Sequence, residues 1–240
     1  MNLICYLSNG YPSIESSKKM AHHYVDAGCD IIEIDFPARD PYLESEYIAN
    51  RMHTALEACN DYGAYMEGMA EIKKQLPNTR FILLAYEATV LEIGYERFIA
   101  FCKENDFNDI ILVGLKNDDI KNRFIADGMG VSCYVQFQML PEEVESARKS
   151  NGFVYMQGKP APGQGQVNPQ FPTLKDCICH LRDQGITRPI YCGVGIHTPE
   201  DAKMAREAGA DGIFVGSAVL KLHEDIPAMT KMIQAFKREC

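Results

Sequence analysis

The chain has 240 residues, 46% hydrophobic and 24% charged, the balance of an ordinary globular protein long enough to bury one substantial core. A formal net charge of −9 argues against nucleic acid or an anionic membrane as a partner, so an anionic ligand must be held by local backbone dipoles. The nine cysteines include no Cys-x-x-Cys pair, and some lie in apolar runs, as Cys5 and Cys192 do; with no membrane-length apolar run and no signal peptide before the first strand, this predicts reduced thiols in a cytoplasmic protein.

Strand and helix patterns alternate along the chain. Strands are predicted at 2–7, 30–36, 80–85, 109–114, 131–136, 152–156, 189–193 and 212–216. Between them apolar residues recur at helical spacing, as in Met20, Tyr24 and Val25, or Ile120, Phe124 and Ile125. Eight βα units with short connections imply a parallel sheet closed into a (β/α)8 TIM barrel, filling residues 1–240 as a single domain. Gly28 and Gly209 fall where helices end, and Thr198-Pro199-Glu200-Asp201 reads as a capped helix start.

The second strand carries the first chemical signal. In Asp30-Ile-Ile-Glu-Ile-Asp-Phe36, alternation puts Ile31, Glu33 and Asp35 on one face and Ile32, Ile34 and Phe36 on the other. The apolar face suits the layer between barrel and helices, which turns Glu33 and Asp35 into the barrel. A desolvated carboxyl with a second one nearby is hard to ionise, the condition for general acid–base work near neutral pH. The loop that follows adds Arg39, Asp40 and Glu44, types that ordinarily face solvent. Tyr155 on the sixth strand either lines a pocket or belongs to the core. The glycine- and proline-rich segment Gly158–Gln166 after it reads as a lid.

The last third holds the strongest signal. Two apolar strands run into glycine turns, Gly193 and Gly195 after the first, Gly216 and Ser217 after the second, each followed by a helix. Glycine allows close backbone approach to an anion, and helix starts offer unpaired N–H groups, so two such turns side by side predict a phosphate cup after strands seven and eight. The six histidines fall mostly in helical segments, none at a strand end beside a carboxylate, which points away from a metal site; His197 reads as loop surface.

These motifs together resemble the tryptophan synthase alpha subunit family, the indole-3-glycerol-phosphate lyases, over nearly the whole chain. Tyr6-Leu-Ser-Asn-Gly-Tyr-Pro12 is similar to the family's Phe-x-Thr-x-Gly-Asp-Pro, and Ala27-Gly-Cys-Asp-Ile-Ile-Glu33 to its Ala-Gly-Ala-Asp-x-x-Glu. Phe36-Pro-Ala-Arg-Asp-Pro41 parallels Pro-Phe-Ser-Asp-Pro, Leu84-Ala-Tyr86 parallels Leu-Met-Tyr, and the Gly193–Ser217 signature matches best. The resemblance implies retro-aldol cleavage of indole-3-glycerol phosphate to indole and glyceraldehyde 3-phosphate, in tryptophan biosynthesis, with no cofactor or metal. It places the proton-shuttling glutamate on Glu33 and the acid that binds the indole N–H on Glu44. It puts the phosphate on Gly195, Gly216 and Ser217, and the indole among Tyr6, Ile48, Leu84, Leu112 and Tyr155.

Four departures stand out. Glu44 replaces an aspartate, and Asp35 stands where the family has glycine. Pro162-Gly-Gln-Gly165 replaces the lid's Gly-x-Thr-Gly, and Leu115-Lys116-Asn117 replaces the Asp-x-Pro that helps engage the beta subunit. The implied partners are a small phosphorylated substrate and a beta subunit whose docking segment is altered. Two further readings stay open: another phosphosugar lyase, isomerase or epimerase on the same barrel, which the lid pattern favours, and a non-catalytic binder of phosphorylated ligands.

Overall fold

The computed structural model describes residues 1–160, 163 and 167–240; five residues of the expected lid, 161, 162 and 164–166, lie outside the described residues. Its strands are β1 (Asn2–Leu7), β2 (Ile31–Asp35), β3 (Arg80–Tyr86), β4 (Asp109–Val113), β5 (Gly130–Val131), β6 (Cys133–Val135), β7 (Val154–Gln157), β8 (Ile190–Gly193) and β9 (Gly212–Val215). All pairs are parallel, in the order β5-β4-β3-β2-β1-β9-β8-β7-β6.

The two ends of that order are one stretch of chain. The predicted fifth strand is split at Ser132: β5 pairs with β4 on one side and β6 with β7 on the other. Ser132 N–H donates to the Ile110 carbonyl at 3.0 Å, and Cys133 N–H donates to Phe153 O at 3.2 Å. The seam therefore joins β4 to β7, and the eight predicted strands stand round a barrel. Alternation could not reveal the split, because both halves carry strand-forming residues.

Alternation sorts the side chains as the barrel requires. Ile4, Tyr6, Ile31, Ile82, Leu84, Ile111, Phe153, Tyr191 and Phe214 fill the interior, while Leu3, Cys5, Leu7, Ile32, Ile34 and Phe36 pack outward against the helices. The helices are stopped and started by local chemistry. Ser13, Ser45, Asp61, Thr173 and Thr198 each accept an N–H in the first turn of their helix, and Gly28 and Gly209 end theirs in the left-handed region. At the N-terminal end of the barrel, the Asp30 carboxylate accepts Leu3 N–H at 2.7 Å and pairs with Lys237 of the last helix at 2.6 Å. All nine cysteines are free thiols, and no helix among the described residues is long and apolar enough to cross a membrane.

The seam depends on Gly152, whose N–H donates to the Val131 carbonyl at 3.1 Å. A Cβ there would overlap the Val131 carbonyl group and stand 2.8 Å from Ser132 N, backbone atoms that cannot rotate away. Gly152→Ala is expected to lower unfolding stability by about 2 kcal/mol, read as an earlier denaturant midpoint. An unchanged midpoint would show that the seam tolerates opening.

Candidate active site

The C-terminal ends of the strands surround a cavity of about 780 Å³. Glu33 and Glu44 line it, as do Gly195, Gly216 and Ser217, and so do Tyr6, Ile48, Leu84, Leu112 and Tyr155. The site residues that the resemblance implies thus share one space, whereas Asp35 and Gly193 lie beside it without lining it. Arg39 does not reach it: it forms a bidentate pair with Glu92 at 2.6–2.9 Å on the outside, and Asp40 is exposed.

Glu33 sits in register with Tyr6 of β1 and Ile82 of β3, so its side chain shares the inner face with theirs. Only 6% of it is exposed. Burial above all, then the charges of Glu44 and Asp35, push its pKa up to about 8, so it holds a proton at neutral pH. Glu44 comes from the loop after β2 and is also raised, by burial. That loop is fixed from below: the Tyr86 hydroxyl accepts Leu43 N–H at 3.1 Å, and the Tyr42 ring meets the Tyr86 ring edge-on at 5.8 Å.

The opposite wall is aromatic. Tyr155 stacks on Phe214 with centroids 4.4 Å apart and planes 20° apart, and Tyr134 stands edge-on to Tyr155 at 5.7 Å. Gly193 makes room for this, since a Cβ there would fall within the Tyr155 ring. Sequence reasoning passed over Phe214 and Tyr134; the inward alternation of β9 just before Gly216 was the available signal for the first. It also passed over the lining by Val113 and Ser132; His197 is exposed in its loop, as the sequence suggests, and borders the cavity there.

The glycine turns are as expected in position and only partly in kind. Gly195 has φ +98°, a backbone only glycine adopts freely. Ser217 opens a single helical turn, Ser217–Leu220, whose first N–H groups lie outside its own ladder. The helix after β8, Pro199–Ala208, differs from expectation. Its start is already occupied: Thr198 and Asp201 form a reciprocal cap, and Asp201 also accepts His197 N–H at 2.8 Å and pairs with Lys159. An anion here would meet the glycine turns, not that helix.

A buried brace ties the two sides of the mouth. Arg51, on the helix Glu46–Ala58 that follows Glu44, donates to His223 Nδ1 at 2.8 Å, and Tyr47 of the same helix donates to Leu220 O at 3.2 Å. His223 Nε2 meets the Tyr24 hydroxyl at 2.6 Å, and Tyr24 donates onward to Tyr6 O at 3.0 Å. Among the described residues no group of three or more His, Cys, Asp or Glu is placed to hold a metal ion.

The sequence pattern of the family described as "Tryptophan synthase alpha chain" matches residues 1–240. Curated tryptophan synthase alpha chains include one from Aquifex aeolicus, 27% identical over 99% of this chain and 93% of its own. Those of Methanosarcina barkeri and Caldicellulosiruptor bescii are 24% and 29% identical over 99% and 90% of this chain, and 89% and 83% of their own. Among solved structures, one from Aquifex aeolicus VF5 superposes with a TM-score of 0.85 at 22% identity, covering 99% of this chain and 92% of that one. The tryptophan synthase alpha subunit of Legionella pneumophila gives 0.82 at 23%, with the same coverage. At these identities the superpositions establish the barrel fold.

Two raised carboxyls fix the sign of a pH effect. Asp35, fully buried, is pushed up to about 7, chiefly by desolvation, as Glu33 is to about 8. Each binds a proton more tightly folded than unfolded, so stability falls as pH rises toward those values. Between pH 6.5 and 8 the empty protein is expected to lose about 1 kcal/mol of stability per pH unit, measured by denaturant unfolding. Glu33→Gln should flatten that fall; an equally steep fall in the variant would contradict the assignment.

Proposed function

The chain belongs to the tryptophan synthase alpha chain family, and from that premise we propose that it is a lyase that splits indole-3-glycerol phosphate into indole and glyceraldehyde 3-phosphate. What carries the reading is one cavity holding a proton-bearing Glu33, a second carboxyl on Glu44, a stacked aromatic wall and two glycine turns.

In this reading the indole ring lies against Tyr155 and Phe214, among Tyr6, Ile48, Leu84 and Leu112. The phosphate rests on the turns of Gly195, Gly216 and Ser217. Protonated Glu33 delivers its proton to indole C3, leaving a ring cation whose N–H faces the Glu44 carboxylate. Glu33, now a carboxylate, takes the proton of the glycerol hydroxyl on the carbon bonded to C3. The oxygen electrons form the aldehyde, the C–C bond breaks, and its electron pair restores the neutral indole. Glu33 ends as it began, so the protons balance without a co-reactant.

A beta subunit is the proposed partner, since one solved relative by fold is a tryptophan synthase from M. tuberculosis in its aminoacrylate-bound form. Tyr42 and Leu43, 63% and 58% exposed beside Glu44, offer an apolar rim for such a contact. The free thiols fit a cytoplasmic setting.

The test is indole release from indole-3-glycerol phosphate, with and without added beta subunit. Glu33→Gln should lower kcat by roughly 100-fold or more, and Glu44→Gln should also impair turnover. Ser217→Ala should raise KM for the phosphorylated substrate more than it lowers kcat. If the wild type releases no indole under either condition while still binding glycerol phosphate, the substrate is another phosphosugar or the chain is a binder.

A further inference from the structure

Next to Glu33 the barrel holds polar atoms that the reaction above leaves unused. Asp35 follows Glu33 on the same face of β2 and has no exposed surface. Its Oδ1 accepts the Asn9 N–H at 2.6 Å, while its Oδ2 is buried without a hydrogen-bond partner. On β1, the Tyr6 hydroxyl is likewise buried without a well-aligned partner, as are, just beyond the strand, Ser8 Oγ and both polar atoms of the Asn9 amide. Among the described residues seven side-chain atoms are in this condition, and five of them share this corner, belonging to Tyr6, Ser8, Asn9 and Asp35. Unpaired buried atoms cost stability wherever they occur, so their concentration beside one carboxyl calls for a cause.

The groups that face the two carboxyls are Tyr6 from β1, Glu44 from the loop after β2, Tyr155 from β7 and Tyr65 from the helix Tyr62–Gln75. None is a cation. Two desolvated carboxyls without a cation cannot both ionise cheaply, so one keeps its proton. The supports are unequal. Asp35 has the Asn9 N–H, and the Tyr6 hydroxyl lies close enough to favour its charged form, although their alignment falls short of a regular hydrogen bond. For Glu33 no such donor is found among the described residues, and every influence on it opposes ionisation.

We propose that Asp35 is a positioning residue: the first of the two carboxyls to give up its proton, its charge favoured by the Asn9 N–H on Oδ1 and by the nearby Tyr6 hydroxyl, and so the one that keeps the transferable proton on Glu33. Asp35 does not line the cavity; it acts through Glu33. Its value to catalysis rests on the lyase reading, whereas its effect on Glu33 does not.

The deciding experiment is therefore a titration without substrate. Protein carrying 13C at the glutamate side-chain carboxyls is followed by NMR against pH, with the Glu33 signal assigned by its loss in Glu33→Gln. In Asp35→Asn, which keeps the size and an acceptor for Asn9, the Glu33 midpoint is expected to fall by about one pH unit or more. The limb of the kcat/KM profile that belongs to Glu33 should move down with it. Tyr6→Phe, which keeps the ring, should move the midpoint the same way by less, and it decides the matter if Asp35→Asn does not fold. An unmoved or rising Glu33 midpoint in the folded variants overturns the proposal, even if indole is released. A chain that releases no indole, yet whose Glu33 midpoint falls, overturns the lyase reading alone.

Discussion

A carboxyl group held inside a barrel with no cation beside it among the described residues is the constraint around which this molecule is arranged. Water would solvate Glu33 well, and the barrel interior denies it that water, leaving the neutral acid as the stable form. Keeping it there requires that the surrounding strands leave it nowhere else to go. Tyr6 and Ile82 flank it in register, and the outward face of the same strand is pinned by Ile32, Ile34 and Phe36 against the helices. A one-residue slip of β2 would send Glu33 into the helix layer and break both arrangements together.

The rest of the mouth is assembled from pieces far apart in the chain, and shape settles where each goes. Gly193 lies where Tyr155 needs space, so the aromatic wall and the glycine turn are one packing solution. The seam between β5 and β6 lets Ser132, at the break, reach the cavity lining. Local helix chemistry then decides which backbone dipoles stay available: the Thr198–Asp201 cap consumes one helix start, while the single turn at Ser217 keeps its own.

Much of this was legible in the sequence, for identifiable reasons. Period-two alternation exposed Glu33, because a carboxyl on an otherwise apolar inner face is an anomaly that needs no partner to be noticed. Glycine turns at the ends of apolar strands exposed Gly195 and Gly216 in the same way. Glu44, Ile48, Leu84 and Leu112 were reachable only through family resemblance, since apolar pocket walls and loop acids look like core and surface in one chain. Three-dimensional facts stayed hidden: Tyr155 against Phe214, the split at Ser132, and the orphaned atoms around Asp35 arise from contacts between strands. The Thr198–Asp201 cap was visible as a motif, but that it would use up the helix start follows only from where Lys159 and His197 come to rest.

The brace at the mouth has an unusual make-up for a buried cation. Arg51 is 5% exposed; Tyr11 covers its guanidinium at 3.7 Å, and its hydrogen bonds go to the Tyr47 hydroxyl and to a histidine held down to about 3 by burial and by Arg51 itself. Near neutrality the imidazole stays neutral, and the buried Tyr24 phenol, pushed well above its ordinary value, keeps its proton. The span from the helix after Glu44 to the turn beyond Ser217 is thus held by a frame indifferent to acidity, set around two carboxyls that titrate near neutrality. The width of the mouth and the proton inventory inside it are independently adjustable properties, so variation can retune one without deforming the other.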